Sequence, residues 1–169
     1  MKRAFRYLAV LLSSLAAFAC DKQGRPIEEF GLDKLEKGIS SESDVRLVMG
    51  QPDTVRQESD GSRTLEYPRG PQGVRTWMFT IDANGKMQNY VQVLTPETFA
   101  RIQPGMSKEE VRRMLGKPRT VVQYKLKNEE AWDWRYLPSP GADSRFFNVH
   151  FDMDSGKVTY TSSSDAVYY

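Results

Sequence analysis

An internal repeat constrains the fold of this chain more than any other sequence feature. Residues 35–52 parallel residues 102–118, with one extra residue in the first copy, and the closing residues Pro52 and Pro118 are 66 positions apart. Further along, residues 79–86 parallel residues 149–157. Because both the order and the spacing recur, we predict two tandem copies of one structural unit.

Each copy is predicted to contain a short helix that begins after a serine. Ser107 and Glu110 have the spacing of a capping box, in which each residue satisfies a backbone N–H of the other, and Ser41 and Asp44 form a weaker version. The apolar residues that follow lie at i, i+3 and i+4, so each helix presents one apolar stripe. They are Val45, Val48 and Met49 in the first copy and Val111, Met114 and Leu115 in the second.

Glycine and proline are expected to end both helices. A glycine supplies the left-handed backbone position that closes a helix, and a proline two residues later prevents its continuation. A further glycine precedes each helix at an equivalent position. The shared residues are Gly38, Gly50 and Pro52 in the first copy and Gly105, Gly116 and Pro118 in the second.

The rest of each copy is predicted to hold another short helix and four strands. Thr95, Pro96 and Glu97 have the N-cap, proline and early acid of a helix start, and residues 26–35 are their counterpart in the first copy. Segments rich in aromatic and β-branched residues are typical of strands; they span residues 53–57, 63–67, 76–81, 86–93, 119–124, 131–136, 147–151 and 157–161. We therefore predict an α+β fold with two tandem repeats, each a short helix pair packed on a small antiparallel β-sheet.

The first twenty residues have the order of an export signal. A basic segment precedes an apolar run over residues 7–18, which is too short to span a bilayer, and Ala19-Cys20 follows. Two processing routes fit: ordinary signal-peptidase cleavage after the A-x-A motif at residues 17–19, or lipidation of Cys20 at a lipobox-like motif. Lipidation is favoured because acylation removes an unpaired thiol from an oxidising compartment.

The predicted organisation has four parts. Residues 1–19 are a lipoprotein signal peptide, residues 20–26 the lipidated N-terminus and linker, residues 27–94 the first repeat and residues 95–169 the second. Removing the leader takes away three of the 24 basic residues, and the 21 that remain against 22 acidic ones give a net charge of −1. This balance gives no reason to expect nucleic-acid binding.

The residue inventory argues against an enzyme. His150 is the only histidine, and strand alternation places it opposite the apolar face as a solvent-facing residue. The sequence has no zinc-ligand spacing, no glycine-rich phosphate loop and no serine in a nucleophile elbow. We therefore expect no catalytic residue, no metal site, no small-molecule substrate and no cofactor other than the covalent lipid on Cys20.

Several of these segments resemble the SmpA/OmlA family of outer-membrane lipoproteins, which includes the BamE-like proteins. The resemblance rests on residues 105–111, residues 115–118, the strand at 132–136 and the hairpin at 151–156. It implies helices packed on a small antiparallel sheet, and a role as a non-catalytic accessory subunit of the machinery that inserts β-barrel proteins into the outer membrane. The tandem arrangement is also similar to the β-lactamase inhibitor protein fold.

The resemblance also implies partners and a compartment. The partners would be other barrel-assembly subunits, similar to BamA and BamD, and the lipid anchor would hold the chain on the periplasmic face of the outer membrane. Asp21, directly after the lipid cysteine, leaves inner-membrane retention open. Two alternatives remain: a protein inhibitor of a periplasmic or secreted enzyme, and a structural envelope lipoprotein that binds lipid or cell wall.

Candidate contact residues flank the two long loops predicted at residues 68–73 and 138–143 and lie at the C-terminus. Interface hot spots favour Trp, Tyr and Arg side chains, which bury large areas and form several hydrogen bonds. The candidates are Arg69, Arg75, Leu137, Arg145, Tyr168 and Tyr169.

Overall fold

Two four-stranded antiparallel sheets form the framework of the protein. The computed structural model describes residues 31–70 and 73–166. In each sheet the strand order follows the chain, β1-β2-β3-β4 and β5-β6-β7-β8. The first sheet consists of Thr54–Gln57 (β1), Arg63–Pro68 (β2), Thr76–Ile81 (β3) and Met87–Gln92 (β4), and the second of Thr120–Tyr124 (β5), Glu129–Tyr136 (β6), Arg145–Asp152 (β7) and Val158–Asp165 (β8).

The helices are short, and the expectation of a helix pair on each sheet is not confirmed. The α-helices are Glu42–Met49 (α1), Pro96–Phe99 (α2) and Lys108–Leu115 (α3). Among the described residues the first repeat therefore has one α-helix, preceded by the 3-10 turn Leu32–Lys34 that starts after Gly31 at φ +92°. Residues 26–30 of the expected first helix lie outside the described residues. A second 3-10 turn, Lys125–Lys127, connects β5 to β6.

Capping boxes start both longer helices. The Ser107 hydroxyl accepts from the Glu110 backbone N–H at 3.2 Å, and the Glu110 carboxylate accepts from the Ser107 N–H at 2.7 Å. Ser41 and Asp44 form the same pair of bonds, at 3.2 and 2.7 Å. Each box satisfies two backbone donors that a helix start leaves open, which is why helices of only eight residues begin at these serines.

The glycines that end these helices differ from the sequence expectation in one respect. Gly50 and Gly116 have φ +83° and +77°, as expected, but their ψ angles of −159° and −167° are extended rather than left-handed helical. This backbone region is essentially restricted to glycine, because a Cβ would clash with the backbone. The chain therefore leaves each helix directly in an extended direction that leads into the next strand.

Equivalent hydrogen bonds tie each helix to its own sheet. Gly38 donates to the Met87 carbonyl at 2.7 Å, and Gly105 donates to the Val158 carbonyl at 2.8 Å. At the other helix end, the Tyr67 hydroxyl donates to the Gly50 carbonyl at 3.2 Å, and Trp134 Nε1 donates to the Gly116 carbonyl at 3.1 Å. The repeat that is visible in the sequence is therefore also a repeat of contacts.

Helix α3 lies between the two sheets. Its buried residues Val111 and Leu115 belong to one apolar cluster with Met78 and Val93 of the first repeat. The same cluster includes side chains of the second sheet: Trp134, Tyr136, Phe147, Val149, Phe151 and Val158. Strands β2 and β3 accordingly bury consecutive residues, whereas the central strands of the second sheet mostly alternate between buried and partly exposed ones. The first sheet is thus covered on both faces around its centre.

We expect Leu115→Asp to destabilise the protein by about 3–5 kcal/mol, because the carboxylate would be buried among apolar side chains without a partner. Leu47→Asp is the matched control, since Leu47 lies on α1 with 86% of its surface exposed and should change stability by less than about 0.5 kcal/mol. Chemical denaturation of the full-length chain measures both values. Equal effects of the two substitutions would contradict the packing of α3 described here.

Candidate functional site: the junction between the repeats

A fully buried carboxylate joins the two repeats. Glu66, on β2, has no exposed side-chain surface, and both of its oxygens lie within 2.7 Å of Arg112 Nη1 on α3. Arg56 Nη1 lies 3.1 Å from the second oxygen, and the backbone N–H of Lys117 donates to the first at 2.7 Å. A buried charge is strongly unfavourable unless it is paired and hydrogen-bonded, and Glu66 meets these conditions with Arg56 of its own repeat together with Arg112 and the Lys117 backbone of the second.

Two further ion pairs lie beside Glu66 and also join an acid of the first repeat to a base of the second. Arg113 Nη1 lies 2.8 Å from Glu58 Oε2, and Lys117 Nζ lies 2.7 Å from Asp53 Oδ1. In each pair the acid belongs to the first repeat and the base to α3 or the residues just after it. Charge complementarity of this kind fixes orientation, because any other docking of the helix would separate the pairs.

These contacts lower the pKa values of the two outer carboxylates, Asp53 and Glu58. The hydrogen bond from Lys117 holds the pKa of Asp53 below its ordinary value. The hydrogen bond from Arg113 does the same for the pKa of Glu58, and Glu58 in turn raises the pKa of Arg113. Both acids are therefore stabilised in the ionised form by the second repeat.

Gly116 permits the close approach of the repeats. A Cβ on Gly116 would lie 2.8 Å from Thr76 Cγ2 and 3.0 Å from Glu66 Oε1, whereas a Cβ on the equivalent Gly50 would meet nothing within 4 Å. Gly50 is thus needed for its backbone angles alone. Gly116 is needed both for its angles and for the space between α3 and the first sheet.

The equivalent acid in the second repeat is satisfied differently. Asp133 precedes Trp134 as Glu66 precedes Tyr67, and its carboxylate lies 2.6 Å from Nε of Arg119 in the same repeat. The Thr120 hydroxyl donates to the other oxygen. Arg119 occupies the position equivalent to Asp53, and its guanidinium lies 4.3 Å from the centre of the Phe146 ring. The acid on the outer face of the second sheet is therefore neutralised within its own repeat.

A cleft opens beside the junction. Its cavity volume is about 480 Å³, and residues of both repeats line it. Tyr67, Trp134, Leu94 and two prolines supply an apolar wall. The charged residues in its lining are Arg69, Arg75, Lys117, Arg119, Arg135 and Asp53.

The family comparison concerns the second of the two repeats. Residues 92–161 match the family model of the outer membrane protein assembly factor BamE domain. We refer to this part of the chain below as the BamE domain, after the family model that it matches. The match covers α2, α3 and most of the second sheet, so the BamE domain supplies every base of the charged junction except Arg56.

Solved structures show only remote likeness. The DUF4309 family protein YjgB of Bacillus subtilis is 14% identical, with 78% of this chain and 82% of that chain covered and a TM-score of 0.30. A putative β-lactamase inhibitor protein from Streptococcus mutans is 14% identical over 79% and 92% of the two chains, with a TM-score of 0.33. TM-scores this low do not establish a common fold. Among curated proteins, no sequence matches the chain.

The cleft brings together only part of the predicted contact set. Arg69 and Arg75 line it, as does Arg135 on β6, which the sequence analysis did not single out. Arg145, by contrast, lies on β7 with its Nε 3.1 Å from an Asp165 oxygen, and neither Arg145 nor Leu137 is part of the lining. Cys20, Tyr168 and Tyr169 lie outside the described residues. Their proposed roles stay predictions.

His150 is not the solvent-facing residue that strand alternation predicted. Only 13% of its side chain is exposed, because the Tyr160 ring stacks on it at 4.0 Å. Its Nδ1 lies 2.9 Å from Glu129 Oε1 and its Nε2 lies 3.0 Å from Ser162 Oγ. Burial raises the pKa of Glu129, but the bonds from His150 and Tyr160 outweigh it and leave the pKa lowered. The group is a hydrogen-bonded patch on the outer face of the BamE domain.

We expect Glu66→Gln to destabilise the protein by about 3–5 kcal/mol, because Arg112 and Arg56 would lose their buried counter-ion and keep only the more distant carboxylates of Asp53 and Glu58. Glu109→Gln is the control: Glu109 also pairs with an arginine, Arg113, but 70% of its side chain is exposed, so the cost should stay below about 1 kcal/mol. Equilibrium unfolding in urea measures both. A Glu66→Gln protein as stable as the control would show that the buried charge is not needed.

Acid should weaken the junction selectively. The folded-state pKa values of Asp53 and Glu58 lie below the ordinary values of 3.8 and 4.5, so their contribution is complete above those values and is lost as pH falls through the lower folded values. We therefore expect the free energy of unfolding to decline below about pH 4.5. The Arg113→Gln variant should show a shallower decline, because Glu58 would lose its partner. An identical pH profile for both proteins would refute this assignment.

Proposed function

We propose that this chain is a membrane-anchored envelope lipoprotein that serves as a non-catalytic accessory subunit in outer-membrane β-barrel protein assembly. The match of residues 92–161 to the BamE domain carries this proposal. The contact-rich junction supports a scaffold role, since ion pairs and hydrogen bonds hold the BamE domain against the first repeat in one orientation. A rigid arrangement presents its outer surfaces to partners at little entropic cost.

The proposed anchor is a lipid on Cys20. Residues 1–19 would be removed as a signal peptide, and the linker to residue 26 would connect the lipid to the first repeat. Within the described ranges, no helix has both the length and the apolar character needed to cross a bilayer. We place the protein on the periplasmic face of the outer membrane, by analogy with the compartment named for its BamE domain.

The proposed partners are other subunits of the barrel-assembly machinery, similar to BamA and BamD. The first repeat already engages Arg112 and Arg113 of α3 in ion pairs, so we expect partners to bind elsewhere on the BamE domain. The outer face of the second sheet is one such surface. Its central strands present partly exposed side chains between the buried ones, among them Phe146 and Asn148.

Crosslinking in the native membrane tests the proposal. A C-terminally tagged full-length chain should recover barrel-assembly subunits after mild crosslinking, as identified by mass spectrometry. We expect Cys20→Ser to release the protein from the membrane fraction at high salt and to reduce this recovery at least severalfold. Several acyl chains anchor a protein firmly, whereas a protein without an acyl chain has no lipid anchor. The control Ser13→Ala changes the leader without touching the lipid site.

Two outcomes would count against the proposal. Recovery of a periplasmic enzyme or cell-wall component in place of barrel-assembly subunits would assign the BamE domain here to another role. Continued sedimentation of Cys20→Ser with membranes at high salt would exclude the lipid anchor, whichever partners are found.

A further inference from the structure

The outer face of the second sheet holds a serine, a histidine and a glutamate in one chain of hydrogen bonds. Ser162 Oγ on β8 lies 3.0 Å from His150 Nε2 on β7, and His150 Nδ1 lies 2.9 Å from Glu129 Oε1 on β6. The three residues come from neighbouring strands, so no local sequence motif marks them. This is the arrangement of nucleophile, base and orienting acid that activates a serine hydroxyl.

The carboxylate of Glu129 determines which nitrogen of the neutral His150 ring carries the proton. Burial acts to raise the pKa of Glu129, but the bonds from His150 and Tyr160 keep that pKa lowered, so the group is ionised at neutral pH. An ionised carboxylate only accepts hydrogen bonds, and the ring N–H therefore lies at Nδ1. Nε2 is left as the acceptor for the Ser162 hydroxyl. Asn148 Nδ2 donates to Ser162 Oγ at 3.3 Å, which leaves the serine proton directed at the histidine.

Contacts on two sides hold the His150 ring in this orientation. The Tyr160 ring stacks on it at 4.0 Å and 10°, and the Tyr160 hydroxyl donates to Glu129 Oε2 at 3.0 Å. The side chains of His150 and Glu129 are only 13% and 15% exposed. Ser162, by contrast, is exposed, so a reagent in solution has access to its hydroxyl. The base is thus fixed before any reaction, and the nucleophile is accessible.

From this geometry we propose that Ser162 is an activated nucleophile that carboxylic esters acylate. Ser162 Oγ forms a bond to the acyl carbon, and its proton passes to His150 Nε2. That proton then moves to the oxygen of the leaving alcohol as the ester C–O bond breaks, while Glu129 stays ionised and no group changes its oxidation state. The product is an acyl-serine on the chain. The inference goes beyond the proposed function and does not depend on it, since one acylation modifies the protein without turnover.

The neighbours of Ser162 suit an ester with an apolar acyl group. Asn148 lies directly opposite Ser162 in the sheet register, and its amide N–H is placed to donate to the negative oxygen that forms on the acyl carbon. Phe146, two residues before Asn148 on the same face, is partly exposed. Diagonal neighbours on one face lie about 7–8 Å apart, so an acyl chain of a few carbons on Ser162 reaches the Phe146 ring. Contact with this ring would stabilise an apolar acyl group.

Labelling of the full-length chain in dodecyl maltoside with an alkyl fluorophosphonate tests the inference. This reagent traps serines that have a neighbouring base, because the serine oxygen forms a bond to phosphorus and fluoride leaves. We expect a single label per chain, which peptide mapping by mass spectrometry locates at Ser162. 4-Nitrophenyl butyrate is the ester probe, and its release of 4-nitrophenolate should depend on the same serine.

The variants separate activation by the histidine from the reactivity of any exposed serine. Ser162→Ala should abolish labelling, whereas Ser164→Ala removes an exposed serine from the same face of β8 and should leave the rate unchanged. His150→Gln keeps a hydrogen-bonding side chain without the base and should slow labelling about 100-fold. Tyr160→Phe keeps the stacked ring but removes the bond to Glu129, so it should have a smaller effect. Thermal unfolding of every variant checks its folding.

The proposal is overturned by any of three results. These are the lack of a label on the native chain, a label at residues other than Ser162, or a folded His150→Gln protein that is labelled as fast as the native one. Peptide mapping of the native chain needs no variant, so it decides the matter even where a variant fails to fold. None of these results bears on whether barrel-assembly subunits crosslink to the protein, so this test and that of the proposed function fail separately.

Discussion

The buried carboxylate of Glu66 is the interaction on which the arrangement of the two repeats depends. The apolar cluster shared by Met78, Val93, Val111 and Leu115 favours association of the repeats, but apolar contacts have no direction. Glu66 adds direction, because its Oε1 accepts from Arg112 and from the Lys117 backbone N–H, which both belong to the second repeat. Burying an unpaired charge is strongly unfavourable, so any displaced position of α3 that leaves Glu66 without its partners is destabilised. This destabilisation is larger than the net stabilisation from the pairs in the native position.

The local structure of the repeats followed from the sequence. Ser107 with Glu110 and Ser41 with Asp44 start their helices because capping is a contact between near neighbours in the chain. Most strand positions followed from alternation and turn residues for the same reason. The helix expected before α1 depended on weaker signals, since Gly31 interrupts the segment, and only a 3-10 turn is present among the described residues there.

The contacts between the repeats could not be predicted in this way. Alternation along β2 puts Glu66 on the face opposite Leu65 and Tyr67, but it does not tell what covers that face. A strand residue such as Glu66, which would be solvent-exposed in an isolated first repeat, becomes fully buried when the second repeat packs against it. His150 shows the same limit on a smaller scale, since the covering ring of Tyr160 comes from a neighbouring strand. Of the candidate contacts, Arg69 and Arg75 were found because they flank a proline- and glycine-rich loop, whereas Arg119 and Arg135 lie within or beside strands and gave no such signal.

The self-contained pair of Arg119 and Asp133 has a consequence for assembly. A head-to-tail contact between copies would place the exposed side of α1 on the outer face of the second sheet, as α3 is placed on the first sheet. That contact would lack the two outer ion pairs: Arg119 stands where Asp53 would be needed, and Leu47 and Gln51 stand where α3 has Arg113 and Lys117. Heterologous contacts that do not close produce filaments. The outer face of the second sheet thus lacks the charge complementarity with which the first sheet holds α3, so this face does not favour the addition of a further unit in the same way.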